Sequence, residues 1–166
     1  MLEIFTYPHP NLKIKCEPIT EFGSHLLPVV NDMIVTMIGN RGIGLAANQV
    51  GLTKRIFVMN VGNSMKEYIN PEIVEFHDEV KNQEGCLSFP GVYANVKRHG
   101  RIKIKAMTLM GNIIEEELTG IDAICFQHEL DHLNGITFYD HLSPLQRNIL
   151  QRKMTKIQKE NRRNSS

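Results

Sequence analysis

Disulfides, membrane-length apolar runs and a dominant charge sign are all missing from this 166-residue sequence, and each absence removes a class of protein. Cys16, Cys86 and Cys125 are too few, and odd in number, for the cross-linked framework of a small secreted domain, so reduced thiols are expected. No apolar stretch approaches the roughly 20 residues that a membrane helix needs. The opening residues, MLEIFTYPHP, lack the basic segment and apolar run of a signal peptide and the Arg/Ser richness of a transit peptide. Internal repeats and low-complexity segments are absent too. The expectation is a soluble, cytoplasmic chain with no membrane partner, with residues 1–166 forming one domain. A hydrophobic content of 42% suffices for its core.

Net charge is only +1, but its distribution is uneven. From Leu145 to Ser166 there are seven basic residues against the single acid Glu160, a net +6 that leaves −5 on the remaining chain. Such a tail is either a solvated helix face or a contact for RNA phosphates.

Pro8, Pro10 and Pro18 predict an extended N-terminal arm running over the surface. Ser24 and Pro28 then open a helix with Leu26, Val29, Val30, Met33, Ile34, Met37 and Ile38 at helical spacing, ending near Gly39 or Asn40. Short β-branched or alternating runs follow at 55–61, 68–76, 92–96, 102–107 and 113–118, separated by Gly62-Asn63, Asn70-Pro71, Gly91, Gly100 and Gly111-Asn112. A further helix runs from about Thr119–Asp122 to the stop at Asn134-Gly135. Ser143-Pro144 opens a last one, about 144–162, with a stripe of Leu145, Ile149, Met154 and Ile157. Strands gathered between helices imply an α+β fold. Antiparallel or mixed sheets would surround a central helix, with one helix N-terminal and another C-terminal to them.

That central helix carries QHELDH. His128 and His132, four residues apart, stand on one helical face where two imidazoles can grip one metal ion, and Glu129 lies near enough to hydrogen-bond a water there. The alternative is an amphipathic helix with half-buried, hydrogen-bonded histidines. Ile121, Ile124 and Cys125 precede His128 on the same side, so the histidines belong to a buried face, where metal coordination would satisfy both rings. A catalytic site of this type needs a third protein ligand. Position 138 is Phe138, which excludes the metzincin pattern, and Glu160 lies in the basic tail. Cys86, in QEGCLSFPG, is the better candidate, set against the commoner fate of a single buried structural cysteine. In GIGLAANQVG no third glycine or G-K-[ST] follows, which argues against a phosphate loop, and Gln49 offers amide donors from an otherwise apolar segment.

GIGLAANQ, EGCLS and QHELDH, in that order, resemble the three signature motifs of the bacterial peptide deformylases, and the flanking YPHPNLK and HLNGITFYDHLSPL extend the likeness over essentially the whole chain. The resemblance implies that Cys86, His128 and His132 coordinate one divalent metal, ferrous iron physiologically, with zinc, nickel or cobalt able to replace it. It implies hydrolysis of the N-formyl group from N-formylmethionyl nascent peptides. Glu129 would act as general base and then acid, with Gln49 and the backbone N–H of Leu87 meeting the developing oxyanion. Gly44 would receive the substrate as an added strand, and Ile43, Glu84, Gly85, Ile121, Ile124 and Cys125 would lie near the methionine side chain. The C-terminal helix resembles that of members which dock on the ribosome, so rRNA contact is expected of a protein that is otherwise a monomer. Lys13, Asn48 and His99 depart from the family pattern. Two other readings of the same residues are an H-E-x-x-H peptidase acting on internal bonds and an RNA-binding protein with a structural metal.

Overall fold

The structure, a computed structural model, describes residues 1–165, within which five strands form one antiparallel sheet accompanied by three α-helices. Helix α1 spans Leu27–Gly39 and the strands are β1 Gly44–Ala46, β2 Ile56–Val61, β3 Ser64–Cys86, β4 Phe89–Met107 and β5 Ile113–Thr119. Helix α2, Gly120–Leu133, follows β5 directly, and α3 spans Pro144–Asn164. The sheet order is β1-β2-β3-β4-β5, every neighbour antiparallel, so the arrangement is a meander. No helix among the described residues is long and apolar enough to cross a membrane.

The expected short strands at 68–76, 92–96 and 102–107 are parts of one long hairpin, β3 with β4. Asn70-Pro71 breaks the pairing register without ending the strand: Asn70 takes φ 49° and the chain bulges between Ile69 and Glu72. The Asn70 side chain then pairs with the arm, accepting from Ile19 N–H at 2.8 Å and donating to its carbonyl at 2.9 Å. At Gly62-Asn63 both residues have φ 59°, the left-handed pair that closes the two-residue hairpin between β2 and β3.

The arm is more deeply tied in than a surface run. Leu12, Cys16 and Ile19 are buried, Tyr7 N–H donates to Ser88 O at 2.9 Å, and Cys16 N–H to Leu133 O at 2.8 Å. Helix α1 buries Val30, Met33, Thr36 and Met37, but Ile38, expected in the stripe, is exposed. Helix α2 packs on the sheet through Phe126, whose ring meets Phe57 at 5.0 Å and Tyr68 at 5.1 Å between centroids. This contact puts the His128 turn over the end of the hairpin.

Helix α3 begins with a reciprocal cap: Gln146 N–H donates to Ser143 Oγ at 3.2 Å, and Ser143 N–H to Gln146 Oε1 at 3.0 Å. Its apolar face differs from the expected one. Leu145 and Ile149 are exposed, while Leu150 and Met154 are buried with Phe89, Val92, Val96, Phe138 and Leu142 in a second core cluster. Positions 150, 154 and 157 share one side of the helix, and that side meets the sheet. Leu150→Ala should therefore cost about 2–4 kcal/mol in urea unfolding, whereas Lys153→Ala, on the exposed side, should stay within about 0.5 kcal/mol.

Candidate metal centre and adjoining cavity

Cys86 ends β3 at the tip of the hairpin, where a two-residue turn, Leu87-Ser88, leads into β4. Across from it, α2 presents His128 and His132 on successive turns. Cys86 Sγ lies 3.3 Å from His132 Nε2, which lies 3.3 Å from His128 Nε2, and one donor atom from each residue falls within 4.8 Å of the other two. Ligand bonds of about 2.0–2.3 Å at tetrahedral angles put such donors about 3.3–3.6 Å apart, so the trio suits a metal ion in chemistry and, along the two edges that meet at His132, in size.

The histidine tautomers lead to the same fit. His128 Nδ1 donates to Glu84 Oε1 at 2.8 Å, which leaves its Nε2 with a lone pair facing Cys86 and His132. Thiol or thiolate sulfur and two ring nitrogens converging inside the protein repel one another unless a proton or a cation lies among them. Burial opposes a charge on His128, yet Glu129, Cys86 and Glu84 around it raise its pKa well above the usual value. His132 moves the opposite way, lowered by burial and then by His128.

Glu84 is held by more than His128. Arg98 Nε donates to its Oε2 at 2.7 Å and Nη2 to its Oε1 at 2.9 Å, and Arg98 Nη1 reaches Asp131 Oδ2 at 2.6 Å. Asp131 in turn bonds His141 Nε2 at 2.8 Å. Burial alone would raise the Glu84 pKa, but the hydrogen bonds from Arg98 and His128 outweigh it and bring the value to about 2. Glu84 thus borders the cavity, but both its carboxylate oxygens are committed to His128 and Arg98. The parts Arg98 and Asp131 play were not anticipated. Asp131 occupies a variable position of the His-Glu-x-x-His pattern, and only a buried arginine's need for carboxylate partners would have pointed to it.

A cavity of about 680 Å³ opens beside the donors. Ile43, Gly44, Gln49, Glu84, Gly85, Cys86, Leu87, Ile121, Ile124, Cys125, His128 and Glu129 all border it, while His132 lies fully buried behind. Tyr93 borders it as well, without any sequence signal having marked it. Gly44 is there for space: a Cβ would overlap Glu129 Oε2 and come within 2.9 Å of Cys125 Sγ, so the carboxylate lies directly against the β1 backbone. Burial raises the Glu129 pKa to about 7, although His128 pulls it down. Its Oε1 has no hydrogen-bond partner among the described residues. Gln49 Oε1 accepts from Ala46 N–H at 2.9 Å, which turns Nε2 toward Ser88 Oγ at 3.0 Å and Cys86 Sγ at 3.6 Å. A buried carboxylate poised near neutrality, fixed amide donors and a metal-sized donor trio form the equipment of metal-assisted hydrolysis.

Comparison with known proteins agrees with this chemistry. A sequence model described as polypeptide deformylase matches residues 1–148. The chain is 44% identical to a peptide deformylase of Thermotoga maritima over 158 residues, 95% of this chain and 96% of that one. It is 42% identical over 163 residues to one of Cellvibrio japonicus, covering 96% of each. Among solved structures, a peptide deformylase from Legionella pneumophila superposes with a TM-score of 0.92 at 38% identity, covering 98% of both chains.

The lowered Glu84 pKa carries a sign for stability. With a folded value of about 2 against an ordinary 4.5, its contribution is full above pH 4.5 and disappears as pH falls toward 2. Urea midpoints measured across that window should fall steeply for the wild type and less steeply for Glu84→Gln; equal slopes would remove Glu84 from the acid response.

Proposed function

The chain belongs to the peptide deformylase family, hydrolases that remove the N-formyl group from nascent peptides, and we propose that the cavity residues described above carry that hydrolysis here. The convergence of Cys86, His128 and His132 beside Glu129 is the observation that supports it most strongly. In this reading the three residues hold one divalent ion. The family depends on a metal, and the ion when bound supplies Lewis-acid activation of water. Ferrous iron is the ion proposed; zinc, nickel and cobalt suit the same sulfur and nitrogen donors.

Glu129 takes a proton from the attacking water as its oxygen bonds to the formyl carbon. The proton then passes to the leaving nitrogen as the C–N bond breaks, giving formate and a free α-amino group. A carboxyl with a pKa of about 7 suits both transfers, because near neutrality it accepts and returns a proton with similar ease. Negative charge collects on the formyl oxygen, where the Gln49 amide and the Leu87 backbone N–H donate. Gln49 is already held for that task by the Ala46 N–H. Ile43, Ile121, Ile124 and Cys125, with Gly85 and Glu84 beside them, give the unbranched methionine thioether an apolar wall. The edge position of β1 leaves Gly44 free to pair with an extended peptide.

Residues 1–166 act in this reading as one catalytic domain, monomeric and cytoplasmic. Arg152, Lys153, Lys156, Lys159 and Arg162 are exposed on α3, which supports a contact with rRNA phosphates. Arg147 differs from these five. It bonds Asp140 O at 2.7 Å and Leu142 O at 3.1 Å and lies 5.7 Å from the Tyr139 ring centroid, so it serves the fold.

Protein purified without oxygen, with its metal content measured, should release formate from a formyl-Met peptide and leave the acetylated peptide intact. Cleavage at internal bonds without formate release would favour the peptidase reading, and no turnover of any peptide the RNA-binding one. Glu129→Gln should abolish turnover and retain the metal. Gly44→Ala, by displacing the Glu129 carboxylate, should lower kcat/KM about 100-fold or more with metal still bound; wild-type kinetics in that variant would show that the close approach is dispensable.

A further inference from the structure

Asn48 stands one residue before Gln49 in the turn after β1, and its side chain is completely buried. Its Nδ2 donates to the carbonyl of His132 and, at 3.2 Å, to that of Ile14. Its own carbonyl accepts from Asn11 Nδ2 at 2.5 Å. The last carbonyls of an α-helix lack partners within it. In α2, Asn48 meets that of His132, while Cys16 N–H at 2.8 Å and Arg55 Nη1 at 3.1 Å meet that of Leu133. One amide therefore joins the backbone of His132, the turn that bears Gln49 and the N-terminal arm.

Two buried atoms next to that junction have no hydrogen-bond partner among the described residues, Asn48 Oδ1 and His132 Nδ1. Their chemistry is complementary. With His132 Nε2 turned to Cys86 and His128, the ring hydrogen belongs on Nδ1, a donor, whereas an amide oxygen only accepts. A histidine that ligates through one ring nitrogen usually donates from the other, and the partner fixes the ring. Glu129 Oε1 is also without a partner, but Glu129 borders the cavity and belongs to the reaction.

We propose that Asn48 is a positioning residue for His132. It holds the backbone of His132 through the carbonyl, and it supports the ring through Oδ1, by way of one ordered water between the two unpartnered atoms. The same amide thereby sets the spacing between the Gln49 donor and the Cys86–His128–His132 trio. This rests on the reading of the trio as metal ligands.

Titration of the metal-free protein with cobalt(II), followed by absorbance, tests it. The wild type should show a thiolate-to-metal band together with the visible bands of a low-coordinate ion. Asn48→Ala should bind cobalt about tenfold or more weakly, with shifted visible bands. Asn48→Thr, which puts a hydroxyl that can both donate and accept in place of the amide, should recover part of the affinity. Asn11→Ala removes a bond of the same junction without touching His132, and it should lower the unfolding midpoint yet keep the wild-type affinity and spectrum. Wild-type affinity and spectrum in Asn48→Ala would overturn the proposal, and so would an equal loss in Asn11→Ala. Should Asn48→Ala fail to fold, Asn48→Thr against Asn11→Ala decides, since only the former is expected to weaken cobalt binding. A wild type without a thiolate-to-metal band would instead overturn the ligand reading beneath it.

Discussion

Arg98 carries a full charge into a place where it is 5% exposed, and an unpaired ion there would cost several kcal/mol. It is paired twice, with Glu84 from its own hairpin and with Asp131 from α2, and this double pairing locks the helix to the hairpin at one rotation. His128 hangs from the same Glu84 carboxylate. The orientation of an imidazole, the pKa of a carboxylate and the docking of a helix thus have one cause. Replacing the arginine by an apolar residue would leave Glu84 as the buried uncompensated charge, so the group is defined by all its members at once.

Small residues and polar anchors cooperate around that lock. Gly44 and Gly85 let the Glu129 carboxylate and the Tyr93 ring approach the backbone, Gly85 because its Cβ would come within 2.7 Å of Tyr93 Cε1. The β4 strand adds residues opposite Gly85, between Phe89 and Ala94, and such a bulge re-aims side chains toward the cavity. Gln49, pinned by Ala46, has its Nε2 fixed beside Ser88 Oγ and Cys86 Sγ. Water-poor surroundings strengthen each of these donors and also account for the reluctance of Glu129 to ionise.

Local signals were legible where one residue type has one strong physical preference. Asn134-Gly135 ended α2, with Gly135 at φ 75° and its Cβ position 2.5 Å from the Lys13 carbonyl oxygen. Ser143-Pro144 opened α3 with both bonds of its cap. The four-residue spacing of His128 and His132 is legible as a metal-binding pair, whereas Cys86 joins them on the resemblance of EGCLS to a family motif, and the three do converge. Asn70-Pro71, in contrast, reads as a turn because the arm residue that satisfies Asn70 lies 51 positions away. The buried side of α3 is only half legible, at Met154 and Ile157, because Leu145 and Ile149 are as apolar as Leu150 and only the shape of the Phe89–Phe138 cluster selects among them. Arg98 and Asp131 carry no local signal for a related reason, since a buried ion pair is a property of two distant segments.

The hairpin tip and α2 contribute the donor trio from positions 46 residues apart at the extremes, Cys86 and His132. Neither segment alone holds more than part of the set, so the trio exists only when helix and hairpin are docked. An ion held by all three donors would bind the assembled molecule more tightly than the unfolded chain, and free metal would then raise the assembled population by mass action. The stability of such a chain is not a fixed property of its sequence. With an ion on the trio it would vary with the metal supply of its surroundings, and the residues that border the cavity would tie the survival of the fold to an outside solute.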